Sequence, residues 1–308
     1  MGTMTVLRPG MLTTVQDLGR WGRQHLGVPV AGPMDWYSHR LANAVLGNAP
    51  DAATLEITLL GPELLTDADA SCAVTGAEFE VTAGEDRVRT GEPFLLRAGQ
   101  RLRFGTRISG SRATLAVSGG FAVPPVLGSR STSLTSRLGP FGGRALQAGD
   151  VLPIAGAPPL GWRHQGRALA MPPGGARVRV MLGPHEAHFS DAARSAFGTA
   201  RYVVTSESNR MGYRLDGPRL DYAHQQEMLS DATPIGSLQV PASGRPILLM
   251  ADRQTTGGYP KIATVITADL PVAGQLAPGD WIEFEPCSRD SAIEALRRRE
   301  AALRGTEP

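Results

Sequence analysis

Short runs of apolar residues, some continuous and some alternating with polar residues, fill most of this chain of 308 residues. Glycine and proline, at 37 and 24 residues, stand between the runs and mark turns. Many short strands with frequent turns are typical of β-barrels and β-sandwiches. The pattern therefore predicts a mainly β protein. Its clearest predicted strands are TLEITLL, ATLAVSGG, RVRVML, PILLMAD, KIATVI and WIEFEP.

Three segments have a helical period instead. The first, PMDWYSHRLANAVLGN (33–48), has a proline suited to a first turn and ends near Gly47, which suits a helix C-terminus. The second, SDAARSAFG, has Ser190 as its predicted N-cap and Gly198 as its stop. The third, SRDSAIEALRRREAALRG, is an amphipathic helix at the end of the chain. We therefore expect a few short helices and a C-terminal helix beside the strands.

A repeated pattern indicates two domains. ALQAGDVLPI (145–154) and QLAPGDWIEF (275–284) each combine a leucine, a Gly-Asp turn and an apolar strand. Gly-Asp turns are common, so the match does not by itself show a duplication. The segment 155–176 is rich in Pro, Gly and Ala and is predicted to be a linker. We expect a β-barrel-like domain over 1–170, a second over 175–288 and a helical tail over 289–308.

Composition and charge exclude several classes of protein. The net charge is only +2, and no basic stripe with interleaved aromatic residues is present, so we expect no nucleic-acid partner. No apolar run has transmembrane length and the first residues have no signal-peptide core, so we expect a cytoplasmic protein with no membrane partner. No His or Cys cluster has metal-binding spacing, and no metal is expected.

Lys261 is the residue that the composition singles out. It is the only lysine, and all the other members of the 31 Lys and Arg residues are arginine. An ammonium is compact and can lose its proton when desolvated, whereas a guanidinium is larger and stays charged. The lone lysine therefore favours a site that needs a proton donor or a point charge against a carboxylate, carbonyl or phosphate. The alternatives are codon bias and a lysine that extends over a rim.

The residues before Lys261 place many hydrogen-bonding groups at one predicted strand end. Two adjacent glycines there let the backbone approach a ligand closely. Polar groups at the rim of a barrel can converge on a small molecule. We predict a ligand site formed by Asp252, Arg253, Gln254, Thr255, Thr256, Gly257, Gly258, Tyr259 and Lys261.

Two further clusters are candidate parts of a site. SNRMGYRLDGP (208–218) contains Arg210 and Tyr213, and guanidinium groups suit a carboxylate or phosphate; the alternative is a solvent-facing strand edge. TVQDLGRWGRQHLGVPVAGPMD (14–35) is rich in glycine and contains His25 and Asp35, but it lacks the Walker pattern. A lone histidine is more often structural than catalytic, and both interpretations stay open for His25.

Several motifs together resemble one family. TTVQDLGRWGRQHLGVPVAGPMD, VLGSRST, SNRMGYRLDGP, MLSDATPIGSLQVP and ADRQTTGGYPKIATVI resemble, in order, the carboxyltransferase-like C subunit of bacterial 5-oxoprolinase. This family is also known as the allophanate hydrolase subunit 2 or Kip-antagonist type. The resemblance extends from about residue 4 to residue 286.

The resemblance implies a fold, an activity and partners. The fold would be two tandem cyclophilin-like β-barrel domains. The activity would be hydrolysis of a cyclic amide, in which the A, B and C subunits together convert 5-oxoproline and ATP to glutamate, ADP and phosphate. The partners would be the Kip-inhibitor-type B subunit together with the A subunit. ATP would be used in the assembled complex, and biotin is not expected because the chain has no biotin-attachment segment.

Within that family, charge, size and spacing suggest roles for the candidate residues. Lys261 would be the electrostatic or proton-donating group, and Asp252 would orient Lys261 or take the amide proton. The substrate-binding residues would be Arg253, Gln254, Thr255, Thr256, Gly257, Gly258, Tyr259, Arg210, Tyr213, His25 and Asp35. The alternatives are the carboxyltransferase component of a biotin-dependent urea or amide carboxylase, and a non-catalytic regulatory partner of a Kip-inhibitor-type protein.

Overall fold

The computed structural model describes residues 2–154, 166–224 and 228–306 of the chain. By compactness the chain divides into two units. The first comprises Met1–Trp21, Ala31–Met171 and Glu300–Pro308, and the second comprises Gly22–Val30 and Pro172–Arg299. Residues 155–165 of the predicted linker lie outside the described residues.

The first unit is built on a nine-stranded sheet in the order β2-β3-β8-β4-β1-β9, with β5 paired to β6, β7 and β8. Alternation along β1 and the first part of β8 places every second residue in the core, as the period of a strand requires. The strands are β1 (Gly2–Arg8), β2 (Leu12–Gln16), β3 (Thr54–Thr58), β4 (Glu63–Thr66), β5 (Ala70–Ala83), β6 (Asp86–Val88), β7 (Pro93–Leu96), β8 (Arg101–Val117) and β9 (Val151–Ile154).

Helix α1 (Trp36–Val45) begins after Asp35, whose carboxylate accepts a hydrogen bond of 2.9 Å from the Ser38 N–H. This contact satisfies one of the backbone N–H groups that a helix start leaves unpaired. The short turn α2 (Pro140–Gly143) contains Phe141 in a left-handed conformation.

The second unit is built on a closed barrel of seven strands in the order β10-β17-β14-β15-β12-β11-β18. The parallel pairing of β10 with β18 closes it. The strands of this unit are β10 (Gly175–Leu182), β11 (Tyr202–Val204), β12 (Gly212–Asp216), β13 (Asp231–Ala232), β14 (Ser237–Gln239), β15 (Ile247–Leu249), β16 (Thr256–Gly257), β17 (Lys261–Val265) and β18 (Trp281–Pro286). The described residues also form the helices α3 (Asp191–Thr199), α4 (Leu270–Gly274) and α5 (Arg289–Arg304).

A small two-stranded sheet positions the polar residues of the second unit. In it β13 pairs with β16, so that Asp231 lies opposite Gly257. Next to it, Gln239 at the end of β14 is the cross-strand partner of Lys261 at the start of β17. The register shifts between Leu238 and Gln239, which marks a bulge or irregularity where these two residues meet across the strands.

The predicted fold class is confirmed. The chain is mainly β, with a closed barrel in the second unit, a few short helices and a C-terminal helix. In the first unit the path of paired strands stays open among the described residues. Ser190 is the N-cap of α3, as predicted, and accepts a hydrogen bond of 3.1 Å from the Ala193 N–H.

Candidate functional site

Lys261 is buried, and its ammonium donates a hydrogen bond to Asp231. The lysine side chain is 4% exposed and the aspartate side chain 61%, with 2.7 Å between Nζ and Oδ2. The hydrogen bond from Lys261 lowers the pKa of Asp231 below its usual value, helped by one from the Ala232 N–H. The pair therefore joins a desolvated cation to a carboxylate that solvent or a ligand can reach.

Asp252 lies elsewhere, and this corrects the expectation that it orients Lys261. Its two carboxylate oxygens accept hydrogen bonds of 3.1 Å from Nε and Nη2 of Arg210, and both side chains are at most 3% exposed. A fork of this geometry fixes both groups and satisfies both charges. Arg210 and Asp252 therefore form a buried structural ion pair, in which the Asp252 carboxylate is occupied.

His185 is a member of the site that the sequence did not reveal. Its Nδ1 accepts a hydrogen bond of 3.1 Å from the Lys261 backbone N–H, so the ring proton of the neutral imidazole is on Nε2. Burial, and then the nearby Lys261 ammonium, lower the pKa of His185. His188 lies beside it, with 5.4 Å between ring centroids. The only sequence signal was two histidines three residues apart after a predicted strand.

Arg253 is buried among backbone groups of its own unit. Its Nε donates a hydrogen bond of 2.6 Å to the Thr233 carbonyl oxygen. Burial lowers its pKa to about 10, so the guanidinium stays charged at neutral pH. Thr233 in turn donates from its hydroxyl to the Gln254 carbonyl and from its N–H to the Thr255 carbonyl. These contacts fix the backbone that leads to Gly257.

Gln254 and Gln239 bring two carboxamides together beside Lys261. The Gln254 Nε2 donates to the Gln239 Oε1 at 3.2 Å. Gln239 is 1% exposed, and its Nε2 has no hydrogen-bond partner among the described residues. A Cβ atom on Gly257 would lie 2.7 Å from this nitrogen, closer than atoms can pack. Gly257 therefore makes room for the Gln239 amide.

A cavity of about 180 Å³ lies beside Gly258 and Tyr259. Thr256, Gly258 and Tyr259 are exposed, whereas Thr255 is half-buried. Tyr222, which donates from its hydroxyl to the Val240 carbonyl, also lines the cavity. The lining residues are His188, Tyr222, His224, Met228, Ala242, Gly258, Tyr259 and Pro260.

Three predicted site residues do not join this group. Tyr213 is buried in β12, with its hydroxyl 3.5 Å from the Gly274 carbonyl oxygen. His25 is exposed in a short 3-10 turn, Gln24–Leu26. Asp35 belongs to the first unit, where it caps α1. Helix capping and core packing account for Asp35 and Tyr213.

The first unit gathers two sequence clusters around Asp17. The Asp17 carboxylate accepts hydrogen bonds of 2.6 Å from the hydroxyls of Ser129 and Ser131, and others from the N–H groups of Gly19 and Arg130. Burial by itself raises the pKa of Asp17, and these hydrogen bonds outweigh it, so the net pKa is lowered. These hydrogen bonds fix the loop 126–132, which has the sequence VLGSRST, to the end of β2.

Neither a metal cluster nor a membrane-crossing helix is found in residues 2–154, 166–224 and 228–306. No group of three or more His, Cys, Asp or Glu side chains in these ranges is arranged to hold a metal ion. No helix in them is long and apolar enough to cross a membrane.

The second unit is a β-barrel with a buried lysine–carboxylate pair beside two amide side chains. The chain belongs to the family described as "Carboxyltransferase domain, subdomain A and B", which matches residues 26–286.

Two curated relatives have nearly the same length as this chain. It is 41% identical to the 5-oxoprolinase C subunit of Escherichia coli, over 95% of this chain and 94% of that protein. It is 39% identical to the 5-oxoprolinase C subunit of Haemophilus influenzae, over 94% of this chain and 93% of that protein. Among solved structures, K. lactis urea amidolyase matches 99% of this chain and 20% of its own, with a TM-score of 0.92 and 32% identity.

Proposed function

We propose that this chain is the C subunit of an ATP-dependent 5-oxoprolinase and works with the A and B subunits in the cytoplasm. One observation carries the proposal: both near-full-length curated relatives are named as the C subunit of 5-oxoprolinase. The reaction would consume 5-oxo-L-proline, ATP and two waters and give L-glutamate, ADP and phosphate. One water opens the lactam C–N bond, and the other becomes part of phosphate. ATP is a substrate of the assembled complex, and biotin is not required.

The geometry around Lys261 supports this chemistry. Opening a lactam builds negative charge on the carbonyl oxygen and requires a proton for the leaving nitrogen. A buried ammonium stabilises such charge more strongly than an exposed one because water screens it less. In the proposed mechanism Lys261 stabilises that charge, Asp231 orients the ammonium, and the neutral His185 fixes the backbone at Lys261.

The other residues have supporting roles in the proposal. Arg253, Gln254, Thr255 and Thr256 shape the wall next to Lys261. Gly258 and Tyr259 border the cavity, and Gly257 makes room for the Gln239 amide. Asp252 and Arg210 act together by fixing the start of this segment, since the Asp252 N–H also donates to the Arg210 carbonyl at 2.8 Å. His25 remains a candidate substrate contact from the sequence, and it is exposed.

The test is ATP-dependent release of glutamate from 5-oxoproline by the purified chain with its own A and B subunits. Each of the three proteins is omitted in turn, and a Lys261→Arg chain replaces the wild type in a parallel assay. We expect glutamate only with all three proteins and a large loss with Lys261→Arg. Full activity without this chain would refute the proposal.

A second candidate is the carboxyltransferase component of a biotin-dependent urea or amide carboxylase. The specific observation in its favour is the TM-score of 0.92 with K. lactis urea amidolyase. Avidin inhibition of carboxyl transfer to urea would support it, and avidin-insensitive glutamate release would support the 5-oxoprolinase. If neither activity appears although the chain binds its Kip-inhibitor-type partner tightly, a regulatory role is favoured.

A further inference from the structure

The amide nitrogen of Gln239 is a buried donor with an unused hydrogen-bonding capacity. The side chain is 1% exposed, and its Oε1 is occupied by Gln254 whereas its Nε2 has no partner among the described residues. Buried polar atoms in folded proteins are nearly always paired, so an unpaired donor at a polar site calls for a specific explanation.

The surroundings of this nitrogen point to a ligand rather than to a packing accident. Gln239 is the cross-strand partner of Lys261, next to a register shift between Leu238 and Gln239. Lys261 contacts the Asp231 carboxylate at 2.7 Å, and Asp231 lies opposite Gly257, whose Cβ position would be 2.7 Å from the Gln239 nitrogen. Two donors and one accessible acceptor therefore lie around Gly257, and they match the carbonyl oxygen and the N–H of an amide.

The cover over Gln239 is thin. A Cβ atom on Gly257, in the two-residue strand β16, would lie 2.7 Å from its Nε2, so this glycine adjoins the amide. Thr256 is exposed and Gly257 is half-buried, so this strand stands between the amide and solvent. Among the described residues its ladder partner is the two-residue strand β13, at Asp231 and Ala232. Short pairings with few buried contacts are the parts of a fold that open most easily.

We propose that Gln239 recognises the amide carbonyl of the substrate through Nε2, after β16 moves aside. The ligand class is a cis-amide, such as a lactam or a ureido group, whose carbonyl oxygen and N–H lie on the same edge. Gln239 and Lys261 donate to the carbonyl oxygen, and Asp231 accepts from the N–H. Gln254 holds the Gln239 carboxamide in orientation. The identity of the lactam rests on the proposed function. The assignment of Gln239 as a donor does not.

Direct binding tests this assignment separately from turnover. Binding of 5-oxo-L-proline, 2-pyrrolidinone and L-proline is measured by calorimetry and ligand-observed NMR, with the full chain alone and with its A and B subunits. 2-Pyrrolidinone has the lactam without the carboxylate, and L-proline has the ring and carboxylate without the lactam. We expect both lactams to bind and L-proline to bind at least tenfold more weakly.

Two variants make the test specific to the donor. Gln239→Met keeps the length of the side chain and removes the amide, and we expect it to weaken lactam binding at least tenfold while thermal unfolding changes little. Ser237→Ala is the matched control: it removes another unpartnered buried polar atom, two residues away on β14, and should leave binding unchanged.

The outcomes distinguish this inference from the proposed function. Unchanged lactam binding by Gln239→Met, equal binding of L-proline, or no lactam binding by the wild type in either format overturns the role of Gln239. Lactam binding that depends on Gln239, without any release of glutamate by the complete complex, supports the role of Gln239 and refutes the 5-oxoprolinase.

Discussion

Lys261 is 4% exposed, yet Asp231, the carboxylate that its ammonium contacts at 2.7 Å, is 61% exposed. The carboxylate therefore neutralises a buried charge from the solvent side. A ligand that approaches from that side meets the acid first and the lysine behind it. We expect the compact ammonium to fit this arrangement better than the larger guanidinium of arginine.

We expect Lys261→Arg to reduce turnover by about 100-fold or more, because a positioned charge or proton donor contributes on that order. Asp231→Asn should cause a smaller loss, since it removes the orienting charge and leaves the ammonium. Single-turnover kinetics of the assembled complex measure both. A Lys261→Arg variant with wild-type turnover would show that any cation suffices.

Asp252→Asn should destabilise the protein by about 3–5 kcal/mol, because it leaves the buried Arg210 guanidinium without its counter-charge. Glu207→Gln is the control, since it removes an exposed partner of Arg214 and should change the free energy of unfolding by less than about 1 kcal/mol. Urea unfolding measures both variants. Loss of activity at unchanged stability would instead restore a catalytic role for Asp252.

Gly257→Ala should destabilise the protein by about 1–3 kcal/mol, the usual cost of overpacking, because its Cβ would lie 2.7 Å from the Gln239 amide nitrogen. Gly258→Ala is the matched control, because its Cβ would meet nothing closer than 3.6 Å. Shortening Gln239 to alanine should relieve the effect of Gly257→Ala. Equal unfolding free energies for the two glycine variants would contradict the packing at Gly257.

Stability should fall as pH drops from about 6.5 toward 4 because of His39 in the first unit. The ring is fully buried with its Nδ1 2.9 Å from the Thr54 hydroxyl oxygen, and burial lowers its pKa to about 4 from 6.5. The unfolded chain then binds the proton more readily than the folded one, so acid favours unfolding. The loss amounts to about 3 kcal/mol once the pH is below the folded pKa.

Urea unfolding at several pH values tests this, with His39→Gln against an exposed control, His224→Gln. The pH dependence between 6.5 and 4 should become shallower in His39→Gln and stay unchanged in His224→Gln, because His185, whose pKa is also lowered by burial, is present in both variants. Equal slopes in the two variants would show that His39 is not the titrating group. Asp17 acts at lower pH. Its lowered pKa stabilises the folded protein at neutral pH, and this contribution is lost as the pH falls below about 3.8.

Local sequence patterns predicted much of the fold. Ser190 caps α3, and the last predicted helix is α5, because capping groups and helical periods act over a few neighbouring residues. The alternating and apolar runs likewise predicted strands such as β10, β17 and β18. Asp35, a predicted substrate-binding residue, caps α1 in the first unit.

The sequence by itself determined a mainly β protein and directed attention to Lys261, because strand period and the singular lysine are properties of the chain alone. Only the tertiary structure decided the partners of that lysine. Asp231 is 30 residues away and His185 is 76, and strand pairing brings both to Lys261. It also pairs Asp252 with Arg210 and leaves the Gln239 amide nitrogen without a partner among the described residues. Such pairings depend on register and burial, which no local pattern specifies.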